Sequence, residues 1–280
     1  MRIKILSDST CDLSREILEQ FDITIMPLTV IKNDVSYLDN ITITPAEIFA
    51  HVAAGGELCS TTAVSIGEYQ EFFAPFAKEY DGVIHVNLGS GFSSSYQNAC
   101  LAAEEFDNVR AVDSQNLSTG QGLVVLEACR LAQTATDLDA LKAELDAFTS
   151  KVEASFLIDK LNYLVKGGRC SSAAALGANL LNLKPCIEVR NGKMSVGKKY
   201  RGAFVKSLPA YVKDKISQRE DIDRSKIFIT KTVVSDEEYA AVKNAVDTYG
   251  NFETVYETDA GCTISCHCGP GTLGVLFVRK

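Results

Sequence analysis

Histidine is scarce in this sequence: three among 280 residues, His51, His85 and His267. Any chemistry that needs an imidazole base or a histidine-built metal cage has only these to draw on. Positive charge is also short. Lysine and arginine total 28 against 36 acidic residues, a formal net charge of −8. That balance argues against wrapping of nucleic acid or of an anionic membrane surface, so no nucleic-acid partner is expected. No apolar run approaches the length of a membrane span. The opening, MRIKILSDST, enters a strand-like pattern directly, with neither a secretory apolar core nor a small-residue cleavage site, which predicts a cytoplasmic protein.

What is present is the profile of a globular chain: 46% hydrophobic and 23% charged residues, in a length that accommodates about two domains. Nine cysteines, an odd number, lie mostly singly among apolar residues. This predicts reduced, buried thiols rather than a disulfide framework.

Strand and helix patterns alternate in the first half. RIKIL and GVIHVNL read as strands and CDLSREILEQF as a helix with Asp12 as its cap. ITIMPLTVI reads as a strand bent at Pro27. Thr44 with Glu47, and Ser65 with Glu68, have capping-box spacing. The alternation predicts an α/β fold with a mostly parallel sheet flanked by helices. After a connecting helix the texture changes to two short helices, IDKLNYLVKGGR and SSAAALGANLLNL, and a hairpin turning at Asn191-Gly192. A last extended stretch then runs to the C-terminus. This predicts an N-terminal α/β domain over residues 1–150 and a C-terminal α+β domain over 151–280.

The loop GSGFSSSYQNA, residues 89–99, carries the chemistry. It lacks the third glycine of a dinucleotide fingerprint and has no lysine nearby for a Walker loop. A serine nucleophile there would need His267 as base, so a serine esterase using Ser93 and His267 stands as one reading. Neutral hydroxyls at strand ends suit another: Thr61 and Thr62 in LCSTTAVS, with Ser93, would line a pocket for a small anion whose other end is apolar. Ser65 is expected to be a plain helix cap. In GCTISCHCGPG, extended backbone would put Cys262, Cys266 and Cys268 on one face and Thr263, Ser265 and His267 on the other, a polar ladder that would complete a hydroxyl-lined pocket, so no metal site is expected.

Taken together, the opening Asp8, Ser9 and Asp12, the threonine of STTAVS, GFSSSYQNA, LVKGGRCSSAAALGANLLNLKPCIEV and HCGPGTLGV resemble the DegV family over nearly the whole chain. These are bacterial fatty-acid-binding proteins, in several bacteria the acyl-carrying subunit of a fatty acid kinase. The resemblance implies a ligand tunnel between the two domains. It implies a carboxylate held by Thr61 or Thr62, Ser93 and a network linked to His267. Arg169 and Arg201 would face the kinase subunit or the phosphoryl group. The implied partners are a long-chain fatty acid, such as palmitate, stearate or oleate, and the ATP-binding kinase subunit, with peripheral membrane contact for lipid exchange and no cofactor. A non-catalytic fatty acid sensor is a further reading. Where the family commonly has Ser-Gly-Thr-Tyr, this chain has Ser93-Ser94-Ser95-Tyr96.

Overall fold

The computed structural model describes residues 1–176 and 183–280. From the N-terminus, β1 (Ile3–Asp8) leads through a single 3-10 turn to α1 (Arg15–Gln20), then β2 (Thr24–Met26), β3 (Thr29–Lys32) and β4 (Val35–Leu38). Next come α2 (Pro45–Ala53), β5 (Ser60–Thr62), α3 (Ile66–Glu79), β6 (Gly82–Asn87) and α4 (Ser95–Ala103). β7 (Val109–Asp113), α5 (Thr119–Ala132) and α6 (Leu138–Thr149) follow. The remainder is β8 (Val152–Ile158), α7 (Asn162–Gly167), α8 (Ser171–Ala174), β9 (Leu183–Arg190), β10 (Lys193–Arg201) and α9 (Phe204–Ile216). It closes with β11 (Ile222–Lys231), α10 (Asp236–Tyr249), β12 (Thr254–Asp259), α11 (Cys262–Cys268) and β13 (Thr272–Arg279).

The first sheet is the expected parallel one, ordered β2-β1-β6-β7. Its central strands are buried nearly end to end, as strands covered on both faces must be. A second, six-stranded mixed sheet has the order β10-β9-β8-β13-β11-β12. Between the two sheets lies α5, which touches β1 and β6 on one side and β8 and β13 on the other. Its sequence, TGQGLVVLEACRLA, is small or apolar on nearly every face, as a helix with no free side requires. The main hydrophobic core accordingly runs without a break from the first sheet into the second.

Local signals account for much of this. Thr44 and Ser65 each accept a bond from the backbone N–H of the glutamate three residues on, and each glutamate reaches back. Asn191 and Gly192 take positive φ and close the β9–β10 hairpin. Three expectations are corrected. Ser14, not Asp12, caps α1, because Asp12 is drawn into a distant contact described below. ITIMPLTVI is two strands in different sheets, parted at Pro27; β3 turns back through Asn33 and Asp34 into β4 and pairs with β5 on its other edge. GCTISCHC is not extended but helical, for reasons given next. Of the segment SSAAALGANLLNL, residues 177–182 lie outside the described residues, and α8 covers its start.

Candidate functional site

Two loops and one short helix meet at the edge of the intersheet space. The helix, α11, brings His267. Its start is held by carboxylates from far away in sequence. Asp12 Oδ1 accepts from the N–H of Gly261 at 2.9 Å. Asp39 accepts from the N–H of Cys262 at 2.8 Å and of Thr263 at 3.3 Å. These groups satisfy the orphan donors of the first turn, which the helix itself cannot. Helical spacing then sorts the side chains. Thr263, Ile264, His267 and Cys268 face a cavity, while Cys262 and Cys266 pack with Cys59, Val30 and Ile48. Cys262 and Cys266 part from His267 by a helical period of about four, but Cys268, expected on their face, lies beside His267 in the cavity wall because the segment is helical rather than extended. Among the described residues no cluster of metal-ligating side chains occurs.

The serine loop is fixed from below. Asp8, fully buried, accepts from the Leu88 N–H at 2.8 Å, from Tyr69 Oη at 2.7 Å and from Asn87 Nδ2 at 3.2 Å, with His85 Nε2 at 2.9 Å. His85 is thus a core residue with a structural partner. Ser9 donates to Asp39 at 2.9 Å, so the Asp8, Ser9 and Asp12 triplet steadies both the loop and α11 without entering the site. The glycines of the loop serve packing. The Gly89 N–H is spent on the Asn116 carbonyl at 2.8 Å. A Cβ on Gly91 would lie 2.0 Å from the Gly192 carbonyl oxygen in the β9–β10 turn. Ser90 is turned to Asp113, at 2.6 Å. Ser94 has ordinary helical backbone, so the family's glycine is not required there.

Thr61, Thr62, Ser93 and His267, expected around a carboxylate, line one space together with Arg169, expected to face a partner; its other walls include Leu28, Leu88, Phe92 and Met194. Thr61 Oγ1 is 2.9 Å from His267 Nε2. Ser93 Oγ pairs with Ser95 Oγ at 2.9 Å, not with His267. Among the described residues Ser93 and His267 are therefore not paired for nucleophilic attack. The space is small, about 50 Å³. A second cavity of about 30 Å³, with Phe156 and Leu276 in its wall, shares Leu117, Ile264 and Cys268 with the first. On the other side of Thr61, His267 and Arg169 lies an outer cleft of about 330 Å³, lined also by Lys166 and Tyr163. The polar group thus divides a surface cleft from an apolar interior. Arg201, exposed at the end of β10, lines none of these three spaces. A larger cleft, about 500 Å³, lies elsewhere, but its Arg190, Lys215, Arg219 and Arg279 are paired with Glu153 or Glu188.

Burial, helped by the positive charge of Arg169, pushes the His267 pKa down to about 4. The ring is neutral at pH 7. Burial raises Asp12 to about 8 against the opposing hydrogen bonds of Ser118 and Gly261.

The DegV family model, described as "Uncharacterised protein, DegV family", matches residues 2–280. The chain belongs to the DegV family. A DegV domain-containing protein of Clostridium perfringens is 30% identical over 283 residues, covering 100% of this chain and 99% of the relative. A DegV family protein from Thermus thermophilus, solved for its fatty acid binding, matches with a TM-score of 0.85 at 29% identity, covering 100% of both chains. DegV from Bacillus subtilis, a fatty acid binding protein, gives 0.80 at 27% identity, again over 100% of both chains.

Within this DegV chain the Gly-Gly-Arg segment has a local physical meaning. A Cβ on Gly167 would lie 2.5 Å from His267 Nδ1, so glycine there makes room for the imidazole. Gly168, with φ of 71°, ends α7 in the left-handed region. Arg169 then donates to the Gly167 carbonyl at 2.7 Å. The sequence pattern did not single out Asp39. It put Thr263 and Ser265 on the face of His267 by strand alternation; in the helix Thr263 shares the cavity with His267, four residues on, and Ser265 does not.

Proposed function

We propose that this protein binds a long-chain fatty acid. Its carboxylate is held by Thr61, Thr62 and Ser93, with His267 joined to it through Thr61, and its acyl chain lies between the sheets, where the two small neighbouring cavities widen to take it. The single observation that carries this reading is the convergence of neutral donors at one end of an otherwise apolar space. A buried carboxylate costs several kcal/mol unless hydrogen-bonded, and each charge-assisted bond returns roughly 1.5–3 kcal/mol. The acyl chain adds about 0.8 kcal/mol per buried methylene, so the tail dominates affinity and the head sets orientation. The neutral imidazole has a definite task. With the proton on Nε2 it donates to Thr61 Oγ1, and the Thr61 O–H is then free to donate to the carboxylate.

We further propose that the carboxylate is presented through the outer cleft to a separate ATP-binding kinase subunit. A carboxylate oxygen would take the terminal phosphoryl group of ATP, giving acyl phosphate and ADP. Lys166 and Arg169 beside that cleft support this reading. Nine free cysteines suit a reducing cytoplasm. Native mass spectrometry of freshly purified protein tests the binding. The expected mass is that of the chain plus a fatty acid. A bare mass, with no uptake of added palmitate or oleate, would overturn the reading.

A further inference from the structure

Thr263 lies in the first turn of α11, one helical turn before His267. It is 3% exposed, and its Oγ1 is buried with no hydrogen-bond partner among the described residues. Neighbouring hydroxyls behave otherwise. Ser265 donates to the Ala260 carbonyl at 3.2 Å and Thr272 to the Cys268 carbonyl at 3.1 Å. Nor does the side chain serve as a cap, because Asp39 already takes the helix-start N–H groups. Buried polar atoms are mostly satisfied, and of the few side-chain atoms left without a partner among the described residues only those of Thr263 and His267 belong to this cavity's wall, so Thr263 points to a ligand there. Thr263 lines the same cavity as Thr61, Ser93 and His267.

The neighbours of that hydroxyl point to the ligand group. Thr263 shares the wall of one small cavity with Thr61, Thr62 and Ser93, the hydroxyls that would hold the carboxylate. We propose that Thr263 is a further carboxylate-binding residue, donating its O–H to the bound fatty acid. This inference rests on the fatty-acid reading and adds a donor that the family resemblance did not assign.

Thr263→Val tests it, since valine keeps the branched shape and removes only the hydroxyl. Affinities for palmitate and hexadecanol, with the thermal stability of the ligand-free protein, are measured on both forms. The inference predicts that palmitate binds ten- to a hundredfold more weakly, the loss of one charge-assisted bond. It predicts that hexadecanol is little affected and that the ligand-free variant is at least as stable. Unchanged palmitate affinity, or equal loss for both ligands, would overturn it. A parent protein that binds neither ligand would instead overturn the fatty-acid reading itself.

Discussion

His267 is neutral because it is desolvated and stands near Arg169, and that neutrality has a measurable consequence. Its folded-state pKa, about 4, lies below the ordinary 6.5. Between those values the unfolded chain binds more protons than the folded one. Its contribution therefore makes stability rise with pH across that window and level off above it. The stability advantage of the parent over His267→Gln should shrink by at most about 3 kcal/mol as pH falls from 7 to 4. Urea unfolding of both forms across that range measures it. A difference that stays constant with pH would mean that the imidazole is solvated in the folded protein. At this scale the sequence was informative: Thr61, Thr62, Ser93 and His267 stand together. It put Thr263 on the face of His267 for the wrong reason, strand alternation in a segment that is helical.

The elements that carry these residues differ in how far they could be read. Thr44, Ser65 and Asn191-Gly192 act on neighbours within a few positions, so their roles were plain from spacing. The helix α11 was not, because the groups that start it, Asp12 and Asp39, stand 249 and 223 positions away from their partners. Likewise β3 was merged with β2, because Pro27 marks a change of sheet and not merely a bend. The contact between α7 and α11 gives a test that separates binding from folding. Gly167→Ala places a methyl group against His267 Nδ1. It should shift the ring, break its bond to Thr61 and weaken fatty acid binding roughly tenfold. Gly168→Ala meets no atom within 4 Å but strains a left-handed residue. It should cost about 1–2 kcal/mol of stability and leave affinity nearly intact. Titration of palmitate and chemical unfolding of both variants check the pair. Equal effects on binding would show that the Gly167–His267 approach does not matter.

In the whole molecule, a polar partition of Thr61, His267 and Arg169 stands between an outer cleft and an interior shared by two sheets. The parallel sheet and its helices were legible from alternation. The continuity of the core through α5 was not, because it depends on which sheets a buried helix joins. The partition assigns separate tasks to its members. Arg169 has no carboxylate partner among the described residues and is exposed. Arg169→Ala should bind fatty acid as the parent does, yet fail to yield acyl phosphate when the ATP-binding kinase subunit and ATP are added. Detection of acyl phosphate as hydroxamate checks this, and a variant that retains both properties would reduce Arg169 to a cation ending α7.

The central claim, a fatty acid carboxylate held by the hydroxyl loops, is tested most directly at Ser93. The affinity of palmitate is measured for the parent and for Ser93→Ala, alongside hydrolysis of methyl palmitate by each. The account predicts a ten- to hundredfold loss of palmitate affinity on removing one charge-assisted donor, with no ester turnover by either form. Unchanged palmitate affinity, together with ester hydrolysis that disappears with the serine, would contradict it.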